Sequence, residues 1–189
     1  ILIGLPAFEW MLDSHLKTAS RLEIRAFDQM VTAIGEPARQ TLAGRMLTSK
    51  DNAFLANALS LCVDAKVVEA SPLLQGFLRN PALQKQAVRA AGSIGNAEVV
   101  PHLLPICGGL DKTLATYAMV SLAQIGSEEA YPTAEALIAS PVLPMRMVAM
   151  ALVSKFPLRG LETARRLMLD SEERTARIGV QLLAAIGSE

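Results

Sequence analysis

Two histidines, two cysteines and a scatter of carboxylates are the groups from which this chain would have to build a reactive centre. His15 and His102 lie in distant segments and enter no shared ligand pattern. Cys62 and Cys107 lack the close pairing of a zinc or redox motif, and each sits in apolar helical sequence, so buried free thiols are expected. Gly92 and Gly95 follow helical rather than strand sequence, which makes them helix punctuation instead of a phosphate-cradling loop. Arg165 and Arg166 belong to "RGLETARRLMLDSEERTAR" (159–177), where both signs alternate densely as on a solvated helical face. Acids and bases balance at 18 each, which argues against a nucleic-acid surface, since such a surface needs a concentrated excess of Lys and Arg. No catalytic set, metal site or cofactor site is expected.

The elements that position these side chains recur. An apolar residue followed by a turn residue appears at Ile34-Gly35, Val63-Asp64, Ile94-Gly95, Ile125-Gly126, Phe156-Pro157 and Ile186-Gly187, a period of about 31 residues that also reaches Ile3-Gly4. Eight residues before each turn stand Phe27, Ala56, Ala87, Ala118, Ala149 and Gly179, mostly small, as close helix contacts require. Apolar spacing within a unit is helical, as in Met145, Ala149, Leu152 and Phe156. Each unit therefore reads as a helix A closed by the turn and a helix B opened by a proline in or near its first turn (Pro6, Pro37, Pro101, Pro132). Asn80-Pro81, Gly108-Gly109, Ser140-Pro141 and Asp170-Ser171 separate the units. Stacked pairs bury a stripe that no single pair can bury. The expected fold is all-α, an α-α superhelix of two-helix repeats. Its units run approximately 1–19 (partial), 20–50, 51–80, 81–110, 111–140, 141–170 and 171–189 (partial), in one solenoid over 1–189. Pro157 cannot take the left-handed conformation, so the fifth turn is expected to close irregularly, with Gly160 supplying flexibility.

The segment "LQKQAVRAAGSIGNAEVVPHLLPI" (83–106) resembles the HEAT-like repeat of the phycobilisome-lyase type through Gly92, Ile94, Gly95, Val99, Val100, Pro101 and Leu103. The fourth unit follows through Ile125, Gly126, Ala130, Pro132 and Ala134. The resemblance implies a HEAT-like α-solenoid, a fold used by scaffolds, adaptors, chromophore lyases and a few other enzymes. HEAT-type metal hydroxylases use His-Glu pairs, and this chain has none. The related DNA glycosylases need a basic, aromatic-lined groove, whereas Trp10 is the single tryptophan here. A tetrapyrrole lyase would gather arginines around Tyr117 and Tyr131, and the sequence does not gather them there.

Positions five and nine after each turn share a face of helix B. They place Glu69, Val100, Leu104, Tyr131, Glu135, Glu162 and Arg166 as a candidate partner-binding surface, with His102 alongside, apolar at its centre and charged at its border. A second reading turns Val100 and Leu104 toward helix A instead. Between 99 and 153 only Asp111, Lys112, Glu128, Glu129, Glu135 and Arg146 are charged. That stretch either packs well as small-residue repeats or meets another domain or partner. The expected function is a non-catalytic protein-protein interaction scaffold or regulatory module in a longer polypeptide. A lyase-like or chromophore-handling protein is the alternative. The partner is another protein or another domain, with no nucleic acid and no membrane insertion. A cytoplasmic setting is expected, and the open turns at both ends suggest a piece cut mid-repeat.

Overall fold

The computed structural model describes residues 4–187 and is all-helical, with no strand among those residues. In chain order the α-helices are α1 (Leu5–Ser14), α2 (Arg21–Ile34), α3 (Glu36–Thr48), α4 (Asn52–Ala65), α5 (Leu74–Leu78) and α6 (Gln84–Ile94). They continue as α7 (Val100–Cys107), α8 (Lys112–Ile125), α9 (Tyr131–Leu137), α10 (Leu143–Ser154), α11 (Pro157–Met168) and α12 (Glu173–Ile186). None of them is long and apolar enough to cross a membrane. They gather into two compact units, with the boundary between Val99 and Val100.

In the first unit α2, α4 and α6 pack side by side. Against them lie α1, α3 and the 3-10 segment Val68–Leu73 that leads into α5. The interior is apolar: Phe8, Leu12, Phe27, Leu42, Leu59 and Leu74 are essentially sealed from solvent. Phe8 and Phe27 meet edge-on with ring centres 6.4 Å apart. Burying one such side chain contributes about 1.5–3 kcal/mol, more than any surface ion pair, so this interior decides the fold. In the second unit α8, α10 and α12 form one row, with α7 on α8, α9 on α10, and α11 between α10 and α12. Its interior holds Leu103, Met119, Leu122, Tyr131, Leu152 and Leu182.

Capping explains where the longest helices start. Ser20 and Glu23 form a reciprocal capping box on α2. Asp51 and Asp111 each accept two backbone N–H groups at the starts of α4 and α8. These three helices, and α12, are each 14 residues long. Gly35, Gly95 and Gly126 close α2, α6 and α8 at positive φ, as the spacing predicts. Pro6, Pro37 and Pro132 stand at the first or second positions of α1, α3 and α9.

Four expectations need correction or lie elsewhere. The second turn is two residues further on than expected: Asp64 remains helical, and Lys66 takes the left-handed conformation at φ 48°. The helix keeps its 14-residue length from the Asp51 cap, and the chain then drops Val67 into the interior. The small residue at the close contact is accordingly Ala58, fully buried, instead of Ala56, which is only half-buried. The fifth turn does close without a left-handed residue, through Lys155 (φ −64°) and Phe156 (φ −120°), and Pro157 opens α11. Gly160, however, provides room and not flexibility: it is a buried helical residue, and a Cβ there would come within 2.9 Å of Ile186 Cδ1. Gly4 and Gly187 do not adopt the left-handed turn (φ −72° and −80°), while Ile3 lies outside the described residues.

Candidate functional site

Four of the eight residues read from the sequence come together on α9 and α11. Tyr131, Glu135, Glu162 and Arg166 line a surface hollow of about 290 Å³ with Arg159 and Thr163. Tyr131 opens α9 with its ring buried, meeting Phe156 edge-on at 5.7 Å. Its hydroxyl lies 2.9 Å from Thr163 Oγ1, and Thr163 donates onward to Glu135 Oε1 at 2.5 Å. The same carboxylate oxygen accepts from Arg166 at 2.9 Å. The Arg159 guanidinium covers the Tyr131 ring at 3.9 Å and pairs with Glu128 at 2.9 Å. Each carboxylate in this chain of contacts already faces a donor, so the cluster neutralises itself and holds α9 to α11. Glu162 is exposed, and its carboxylate makes no hydrogen bond or ion pair among the described residues.

The remaining candidates separate. Val100 is buried on α7, and with Tyr131 also buried, the apolar centre expected for a groove is interior packing. Both residues open helices that pack on the row, α7 on α8 and α9 on α10, and burial there outweighs exposure. Leu104 and His102 are half-buried on the same helix. Glu69 belongs to the first unit, where it accepts from Arg39 Nε at 2.9 Å. His15 lies against Trp10 with ring centres 5.0 Å apart, and no group of three metal-ligating side chains occurs among the described residues.

The ion pairs carry the period of the sequence. Arg45–Asp13 and Arg39–Glu69 span 32 and 30 residues in the first unit, and Arg159–Glu128 and Arg166–Glu135 span 31 in the second. Each joins one helix hairpin to the next. Arg39–Glu69 is half-buried, while the exposed pairs contribute about 0–1 kcal/mol each and so fix register more than they stabilise.

A polar cleft was not foreseen. In the first unit, Arg21, Arg25, Asp28, Asp64 and Arg89 line about 850 Å³ along α2, α4 and α6. Burial pushes the Asp28 carboxyl above its ordinary range, and the nearby Asp64 charge adds to this. Arg21, Arg25 and Asp28 do share one helical stripe in the sequence, but such a stripe is indistinguishable from a solvated face until α4 and α6 are packed beside it. The low-charge stretch, by contrast, leaves large apolar side chains in solvent: Leu110 is 98% exposed, Leu143 53% and Met147 61%.

No family model matches the chain, and no curated protein matches it. Among solved structures it is similar to two engineered proteins crystallised by the Northeast Structural Genomics Consortium. The first has a TM-score of 0.60 and 17% identity, over 99% of this chain and 94% of that one. The second has a TM-score of 0.58 and 20% identity, over 96% of this chain and 58% of that one, so this chain spans little more than half of its length. At such identities the likeness shows the all-α fold alone.

Proposed function

We propose that this chain is a HEAT-like α-solenoid segment that binds another protein, serving as a scaffold or regulatory interaction module. The observation that carries the reading is the exposure of Leu110, Leu143 and Met147 on the stretch with the fewest charges. Large apolar side chains left in solvent favour association over isolation, and Leu143 and Met147 share one groove. Ion pairs one repeat apart support the HEAT-like part of the reading. The cluster around Tyr131 supports a non-catalytic role, because Tyr131, Thr163, Glu135 and Arg166 are spent on one another and the one unpaired carboxylate of the hollow, Glu162, has no nucleophile beside it. The two unpaired thiols fit a reducing cytoplasmic setting.

Affinity purification of the chain from its native lysate tests the proposal. The expected result is one protein retained in stoichiometric amount through repeated preparations and lost when Leu110, Leu143 and Met147 are together replaced by Ser. A coloured or small-molecule species in place of a protein would overturn it in favour of a lyase-like role.

A further inference from the structure

The row α10–α12 in the second unit carries a groove that no ion pair bridges among the described residues. Leu143, Met147, Met150 and Ala151 of α10 line it together with Gln181 and Ala185 of α12, enclosing about 490 Å³. It runs on, through Arg146 and Gln181, into a second hollow of about 280 Å³ that also takes in Arg174 and Arg177. The order of the lining residues shows that α10 and α12 point the same way: Arg146 faces Arg174 near the two helix starts, and Ser154 and Ala185 lie near the two ends.

The groove is therefore apolar along its length and basic at one end. Arg177 is engaged by Glu173 at 2.5 Å, and Glu172 accepts from Thr175. The side chains of Arg146 and Arg174 have no hydrogen bond or ion pair among the described residues, and both helix N-termini add partial positive charge at that end. Two parallel helices leave a furrow that receives a third. The 12 residues of α10 extend about 18 Å, or a little over three turns. Methionine suits such a floor because its unbranched side chain reshapes around an incoming apolar group.

We propose that this groove docks an amphipathic helix of a protein partner, about three turns long, with apolar residues at i, i+4 and i+7 and carboxylates at one end. The inference rests on the interaction-module reading above and names the face and the kind of partner. It places the contact on the helix-A row instead of the helix-B face that the sequence suggests. Charge complementarity selects an acidic flank: a basic one would meet Arg146 and Arg174 directly, and like charges at a rim oppose association.

The probe is a fluorescein-labelled helical peptide of about 16 residues, with Leu at i, i+4 and i+7 and two Glu at one end. Anisotropy titration should give saturable one-to-one binding. Met147→Asp should weaken it by roughly tenfold or more. Arg174→Glu should weaken it severalfold and bind better to a peptide whose Glu residues are replaced by Lys. Both positions are exposed, and the thermal unfolding of the variants should match the parent. Absence of saturable binding, or equal binding by Met147→Asp, overturns the groove. So does a sedimenting dimer of the free chain that Met147→Asp dissolves, since the occupant is then a second copy. If the groove fails while a stoichiometric partner is still captured, the module reading stands. If no partner is captured, the module reading falls whatever the peptide does.

Discussion

Asp28 carries a carboxylate oxygen that is buried yet has no hydrogen-bond partner. Burial and, secondarily, the Asp64 charge raise its pKa, although Arg21, Arg25 and Arg89 line the same cleft. An acid whose folded pKa lies above its unfolded value penalises folding at neutral pH. The penalty is relieved as pH falls through the folded value and is gone below the unfolded one. Asp28→Asn should therefore raise stability slightly near pH 7, by the order of 0.5 kcal/mol for a partly exposed site. The gain over the parent should shrink steadily on acidification, as read by urea unfolding from pH 7 to pH 3. A gain that grows on acidification would refute this account. Glu23 and Asp51 behave oppositely: the bonds from Ser20 and from Lys17 hold their pKa values down, so what they contribute is lost as pH falls. The Asp28 shift is not visible in the sequence, because its cause lies in which helices stand beside α2, whereas Glu23 acts through its local capping box with Ser20.

At the scale of the element, α11 and α12 show how a helix pair is specified. A Cβ on Gly179 would lie 2.7 Å from the Met168 backbone nitrogen and 2.8 Å from the Ala164 carbonyl oxygen. On Gly160 it would meet the flexible end of Ile186 at 2.9 Å, with the Val153 carbonyl at 3.1 Å. Backbone atoms cannot step aside as a side-chain tip can. Gly179→Ala should cost about 1–3 kcal/mol despite alanine's better helix propensity, and Gly160→Ala distinctly less. Gly44→Ala, in open space on α3, should stabilise by up to about 1 kcal/mol. Urea denaturation of the three variants gives the ranking directly, and a Gly179→Ala protein as stable as its parent would contradict the close approach. The column of small residues before each turn made Gly179 legible as a contact. Gly160 was not, because it stands outside that column and nothing in the sequence brings Ile186 over it. The Lys66 turn escaped for a different reason: no glycine marks it, and α4 runs on past Asp64 to Ala65 before Lys66 turns left-handed.

For the molecule as a whole, the helices were readable where burial and a turn residue coincide. Ile94-Gly95 and Ile125-Gly126 keep one apolar residue and one left-handed position in step, and the helices follow. The functional surface was less readable because position on a helix does not say which neighbour will cover it. Val100 and Tyr131 shared a face with Glu135 and Arg166 on a helical count, yet packing took the first two inside and tied the latter two across a repeat. The exposed character of Met147 became evident only once α12 stood beside α10 without covering it.

Each of the two compact units contains one buried thiol, Cys62 in α4 and Cys107 at the end of α7. Desolvation pushes both pKa values up to about 12, so at pH 8 neither is a competent nucleophile while its surroundings stay closed. The chain thus carries two internal clocks, each started only when its own surroundings open. Labelling the folded protein with a chromogenic disulfide reagent should proceed slowly and in two phases. Cys62→Ser should abolish one phase and Cys107→Ser the other. Reaction within the mixing time would show that the thiols are accessible without opening. A single rate shared by both variants would mean that the whole chain opens as one cooperative body, which would make these two cysteines a direct gauge of how far a disturbance travels along the repeats.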